Sequence, residues 1–221
     1  MKVTHAFLAF AAGAVASPLS PRACPNIHVF GARETTASPG YGSSSTVVND
    51  ILSGYPGSTA EAISYPACGG QASCGGDSYS QSVAAGVAAA TTAVNNFAAT
   101  CPSTQLVLVG YSQRRSYYQH QSRFIFMGDP LYHLGLPYNV GTCAAGGFDA
   151  RPAGFSCPSA ANIRSYCDAT DPYCCNGSNA ATHAGYGAEY GSQAYSFVKS
   201  KLTGELSKEE LLIEKLTTTT A

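Results

Sequence analysis

Gln105-Leu106-Val107-Leu108-Val109-Gly110-Tyr111-Ser112-Gln113 is the stretch on which the reading of this chain turns. Residues 106–109 form an uncharged apolar run, the pattern of a strand buried on both faces of a parallel sheet. The run ends in Gly-Tyr-Ser, a turn that lifts a serine hydroxyl off the end of a strand and keeps the next amide beside it. Such a turn ordinarily closes with a small residue two places after the serine. Here Arg114 stands there, followed by Arg115.

Other elements take their places around that strand. Residues 26–30 read as a first buried strand, followed by a polar, turn-rich loop from 33 to 42. Ser44 and Ser45 can cap a helix that carries Val47, Val48 and Ile51 and stops at Gly54. A short second strand is predicted at 62–65. Val83, Val87, Val94 and Phe97 then share one face of a long helix, and 123–127 reads as a further strand. Tyr190, Ala194, Phe197, Val198 and Leu202 mark a last amphipathic helix, whereas 141–187 reads as loop-rich with five cysteines. Strands alternating with helices predict an α/β fold, a three-layer α/β/α sandwich around a central parallel sheet.

Composition narrows the setting. The chain has 221 residues, a length that suits one domain. A formal charge of −1 gives no electrostatic case for nucleic acid or an anionic membrane. Lys2, an apolar run over 6–15 and Ala14-Val15-Ala16 read as a signal peptide over 1–16, with 17–23 as a short pro-segment. That run is too short to span a bilayer. Secretion to an oxidising exterior is expected, and the nine cysteines then read as a disulfide framework. Cys167, Cys174 and Cys175 offer a competing thiolate metal site, but no histidine stands at zinc-ligand spacing, so neither metal nor cofactor is expected. From Thr203 the chain turns to a charged helix and a threonine run, so 203–221 reads as an appended tail to a domain over 24–202.

A serine nucleophile needs a base and a carboxylate that orients it. After Ser112 the candidate bases are His120, His133 and His183. His183 lies in Thr-His-Ala-Gly-Tyr-Gly, a glycine-rich loop leading into the final helix, the kind of loop that presents a histidine at the mouth of a sheet. Asp168 and Asp171 are the best-placed carboxylates, in a loop bracketed by Cys167 and Cys174.

Four segments in order carry a family resemblance: Val29-Phe-Gly-Ala-Arg-Glu-Thr-Thr-Ala-Ser-Pro-Gly-Tyr-Gly42, Tyr65-Pro-Ala-Cys-Gly-Gly70, Gly110-Tyr-Ser-Gln113 and Cys167-Asp-Ala-Thr-Asp-Pro-Tyr-Cys-Cys175. They resemble fungal acetylxylan esterases of the cutinase-like carbohydrate esterase family, α/β hydrolases. The resemblance implies Ser112 as nucleophile, His183 as base and Asp171 as its carboxylate. It also implies Thr35 and the Gln113 amide as oxyanion donors, with Tyr186 near the acyl pocket. Disulfides are implied between Cys24 and Cys101, Cys68 and Cys74, Cys143 and Cys175, and Cys167 and Cys174. The implied reaction is removal of acetyl groups from xylan through an acyl-enzyme, by a monomer acting without cofactor. A cutinase acting on longer acyl esters is the neighbouring alternative. Asn176-Gly-Ser178 is an N-glycosylation sequon.

The chain departs from that family directly after Gln113. Arg114 to Arg123 replaces a longer crossover, about two dozen residues short against the dozen or more that a parallel connection needs. Ten helical residues rise about 15 Å, against roughly 17 Å for a five-residue strand. The link is therefore expected to leave one sheet face uncovered and Arg114 to crowd the serine turn; the resemblance further implies that the lost crossover carried the partner of Cys157. A catalytically inactive relative, or the product of a misread gene, is the alternative these departures raise.

Overall fold

A computed structural model describes residues 24–113 and 122–218, for 203–218 the backbone alone. Six strands form one parallel sheet: β1 Ile27–Ala32, β2 Thr59–Ala62, β3 Gln105–Tyr111, β4 Arg123–Met127, β5 Asn139–Val140 and β6 Ile163–Tyr166, in the order β2-β1-β3-β4-β6-β5. Three α-helices accompany them: α1 Ser45–Gly54, α2 Tyr79–Thr100 and α3 Ala180–Thr218. This is the expected α/β sandwich.

Side-chain alternation along the strands builds two cores. Val29, Val107, Val109, Ile125 and Met127 cluster with Val48 and Ile51 of α1 and Val198 and Leu202 of α3. Phe30, Leu108, Phe124 and Phe126 point the other way and cluster with Ala90 and Val94 of α2. Beyond β4 that second cluster is extended by Leu136, Tyr138, Phe155 and Cys157. Phe124 and Phe126 are accordingly buried, so the segments flanking β5 cover part of the face the sequence suggests would lie bare. Arg114, Arg115 and His120 fall among residues 114–121, which lie outside the described residues, as does the 1–23 segment.

Several local expectations are corrected. β2 lies at Thr59–Ala62 rather than 62–65: Ile63 still donates to the Gly31 carbonyl, but Tyr65 has already turned away beneath the sheet's end. Ser44 stands before α1 yet makes no capping bond, because its hydroxyl donates to the Tyr41 carbonyl instead. A capping box forms at α2, where Ser78 and Gln81 satisfy each other's amides. Two short strands, β5 and β6, lie in or beside the stretch that reads as loop. Helix α3 begins at Ala180 and runs unbroken to Thr218, so position 203, the expected start of the tail, lies within a helix.

Disulfides join Cys24 to Cys101, Cys68 to Cys74, Cys143 to Cys175 and Cys167 to Cys174. Cys157 is a buried free thiol. The sulfurs of Cys143, Cys167 and Cys175 lie close together, but each is committed to a disulfide and offers no thiolate to a metal. Among the described residues no helix is long and apolar enough to cross a membrane.

Candidate active site

All six strands run parallel, so their C-terminal ends share one edge, where α/β sheets gather their sites. Ser112 follows β3 with φ +55, a left-handed conformation unusual for a residue with a side chain. Its amide donates to the Met127 carbonyl at 2.8 Å, which ties the turn to the end of β4. Gln113 is buried: its side-chain Nε2 donates to the Cys68 carbonyl at 2.8 Å, and its Oε1 accepts from the Ser82 hydroxyl at 3.0 Å. The strained turn is thus held from both sides.

His183 lies in the first turn of α3, not in a loop before it, and Tyr111 explains how that turn is fixed. The Tyr111 hydroxyl, at the end of β3, donates to the His183 carbonyl at 2.6 Å and accepts from the Tyr186 amide at 3.1 Å. The residue preceding Ser112 therefore also sets the height of His183. Gly128, just past β4, makes room for the imidazole. It has φ +63, and a Cβ there would stand 2.6 Å from His183 Cε1 and 2.7 Å from Nδ1.

Of the two candidate carboxylates, the structure brings Asp171 to the histidine: His183 Nδ1 lies 2.8 Å from Asp171 Oδ2. The other oxygen of Asp171 accepts from the amides of Tyr173 at 2.6 Å and Cys174 at 3.1 Å. Burial alone would raise the pKa of this carboxyl. The bonds from His183 and the two amides, with the histidine's charge, outweigh burial and hold it below its usual value. Asp168 is engaged elsewhere, accepting from the amide and hydroxyl of Thr142 and from Tyr190. His133 is half-buried near β5, away from the cavity that His183 lines.

Ser112 and His183 both line a cavity of about 390 Å³, with Thr35 and Thr36 of the loop after β1, Glu34, Gln71, Tyr79, Phe148 and Tyr173. Tyr186, expected near the acyl pocket, packs against His183 but does not line the cavity. It is wholly buried, its hydroxyl accepting from the Asp168 amide. Asn176 is exposed.

Sequence reasoning missed the aromatic rim. Tyr173 is 42% exposed with its ring 4.5 Å from the imidazole, and Phe148 is 59% exposed with its ring edge-on to Tyr79. The available signal was an aromatic residue among Gly, Pro and Asp in a loop, where burial cannot account for it. Chemically, the arrangement offers a strained serine, a histidine whose Nδ1 faces a buried carboxylate, and an open cleft with aromatic walls.

The family model of the cutinases matches residues 23–202. The chain belongs to the cutinase family. It is 64% identical over 220 residues to acetylxylan esterase 2 of Talaromyces purpureogenus, covering 86% of this chain and 94% of that protein. It is 52% identical over 227 residues to cutinase 11 of Verticillium dahliae, covering 90% of this chain and 77% of that protein. The solved catalytic core domain of acetyl xylan esterase from Trichoderma reesei matches with a TM-score of 0.78 and 56% identity, over 81% of this chain and 100% of the other. The Talaromyces alignment spans 220 residues yet takes in 86% of this 221-residue chain, so it passes over positions this chain lacks. These cutinase-family relatives are carboxylic ester hydrolases by name.

Proposed function

We propose that this chain is a secreted serine esterase that releases acetate from acetylated xylan. The observation that carries the reading is the 2.8 Å contact of His183 with the buried Asp171, made at a cavity that Ser112 also lines. With Nδ1 donating to Asp171, the imidazole keeps Nε2 free to take the Ser112 proton as Oγ attacks the acetyl carbonyl. The resulting oxyanion lies toward Thr35 and the Gln113 amide. Collapse expels the sugar hydroxyl, which leaves with the proton from His183. Water, activated by the same imidazole, then frees acetate from Ser112. Four disulfides and a leader over 1–16 fit export, and the exposed Asn176 is the residue to carry a glycan. The enzyme acts as a monomer without cofactor.

Likeness to cutinase 11 favours a second reading, hydrolysis of longer acyl esters. The test is hydrolysis of an aryl acetate by the purified, oxidised protein beside Ser112→Ala, followed by acetylxylan against aryl butyrate and longer esters. Acetate release that vanishes in the variant, with rates falling as the acyl chain lengthens, is the expected result. Rates that rise with chain length favour the cutinase reading. A soluble, folded protein with no release at all makes it an inactive relative.

A further inference from the structure

We propose that Arg33 is a positioning residue for the oxyanion-binding loop, clipping the segment after β1 to the segment after β2 so that Thr35 is held at the nucleophile. The proposal rests on the esterase reading above. Arg33 directly follows β1 and is 5% exposed. Arginine is seldom so buried without a carboxylate partner. Here its guanidinium instead spans backbone carbonyls: Nε donates to Ala37 at 3.0 Å, Nη1 to Ile63 at 3.4 Å, and Nη2 to Tyr65 and, at 3.4 Å, to Pro66. The cation sits 4.9 Å from the centre of the Tyr65 ring, and the Tyr65 hydroxyl donates back to the Arg33 carbonyl. One side chain thus closes the 33–37 loop on itself and fastens it to 63–66.

The fastened backbone is strained. Among the described residues three non-glycine positions have positive φ: Thr36 at +66, Ala67 at +52 and Ser112 at +55. Thr36 and Ala67 bond to each other across the clip, amide to carbonyl, at 2.6 Å. Backbone in such conformations persists only where its surroundings over-determine it. Thr35 lies between Arg33 and Thr36 and lines the cavity with Ser112. Glu34 is removed from competition for the cation, since its two oxygens accept from the amide and hydroxyl of Ser43, each at 2.9 Å. Oxyanion donors act by being in place before charge develops. A rigid fork of five N–H donors can hold carbonyls in several directions at once, which a lysine ammonium on its flexible stem cannot.

The experiment compares Arg33→Lys and Tyr65→Phe with the parent, each scaled to active sites titrated with a phosphonate ester, with Ser112→Ala at equal protein concentration as the blank. Expected for Arg33→Lys is a kcat on aryl acetate lower by about 100-fold, the scale of one lost oxyanion donor. KM should stay within about threefold, and affinity for an aryl boronic acid should fall in step with kcat. Tyr65→Phe keeps the ring and loses the hydroxyl, and is expected to fall between the two. The pH profile should keep its acidic limb, because His183 and Asp171 are untouched. Amide exchange at Thr36 should speed up in both variants. A kcat per active site equal to the parent's, or a lowered kcat with boronate affinity intact, overturns the proposal. If Arg33→Lys fails to fold, Tyr65→Phe decides on the same readouts. If the parent has no Ser112-dependent activity, the esterase reading falls, and unchanged Thr36 exchange in the variants then overturns the clip by itself.

Discussion

Two loops reach the cavity from either side of Ser112, and they are stabilised by different means. The loop carrying Asp171 follows β6 and is closed by the Cys167–Cys174 disulfide, with Cys175 bound to Cys143 immediately beside it. The loop carrying Thr35 follows β1, contains no cysteine, and is held by the hydrogen bonds of Arg33 and Glu34. Both hold polar backbone in irregular conformations at a sheet edge. The first is fastened covalently, by bonds that do not titrate. The second depends on donors whose partners must stay dry. A site built this way should fail differently on its two sides.

The largest expected effect is on the covalently fastened side. Asp171→Asn leaves the shape but breaks the orienting contact, and kcat should fall by about 10⁴ with the disulfides intact. A loss below tenfold would mean that the 2.8 Å contact with His183 does not orient the base. Gly128→Ala comes next. Its methyl group would stand 2.6 Å from the imidazole at φ +63, so His183 must move, and a shift near 1 Å costs about 10² in rate. Unaltered kcat would show that the imidazole has room elsewhere.

Removing the covalent fastening tests the comparison itself. Cys167→Ser with Cys174→Ser opens a loop of seven residues' separation, for which chain entropy predicts a loss of about 2–3 kcal/mol. Denaturant titration and kcat should both register it, with Thr36 exchange unaffected, since that loop is held from the other side.

Acid should separate His28 from Asp171 by pH window. His28, on β1, is 4% exposed and stacks on Phe97 with ring centres 3.8 Å apart. Burial lowers its pKa to about 4. Its folded pKa lies below the unfolded one, so the unfolded chain binds protons first, and stability falls as pH drops from about 6.5 toward 4, by roughly 3 kcal/mol in all. Asp171 behaves otherwise. Its lowered carboxyl contributes stability that is present above the unfolded carboxylate value and is lost only as pH falls through the folded one. The loss of stability that comes from His28 should therefore begin at higher pH than the loss that comes from Asp171. Denaturant titrations at pH 7 and pH 4.5 check this, and His28→Gln should flatten the difference. A parent whose stability is level over that range would refute it.

The smallest effect concerns the aromatic rim. Phe148→Ala should raise KM for acetylxylan by roughly three- to tenfold, the scale of one aromatic contact. No change would place the polymer away from Phe148.

The apolar run at 106–109 fell within β3 because four successive apolar residues admit few environments other than a sheet buried on both faces. Segment 123–127 was legible for the same reason and 26–30 by its Ile, Val and Phe, and all three sit toward the middle of the sheet. Strands β5 and β6 were not legible. Asn139-Val140 is too short for any period, and Ile163-Arg-Ser-Tyr166 hides its polarity by stacking Arg164 on Phe197 of α3, a contact no local pattern announces. Among the site residues, the turn at Ser112 stood out from its neighbours, whereas Arg33 read only as one residue of a polar loop.

Local composition determined the alternation of strand and helix, the serine at the end of a buried strand, and a small set of histidines and aspartates after it. Those follow from short-range chemistry: hydrophobic period, turn residues and spacing. Tertiary structure alone decided that Asp171 rather than Asp168 meets His183, that Tyr186 packs against the imidazole, and that Phe148 and Tyr173 share a rim. It also decided that a buried arginine, some 30 residues away in the chain from the carbonyls it holds, fastens the loop of Thr35. Each of these depends on which loop ends the sheet order brings together, and that order is set by burial over the whole molecule rather than by any segment of it.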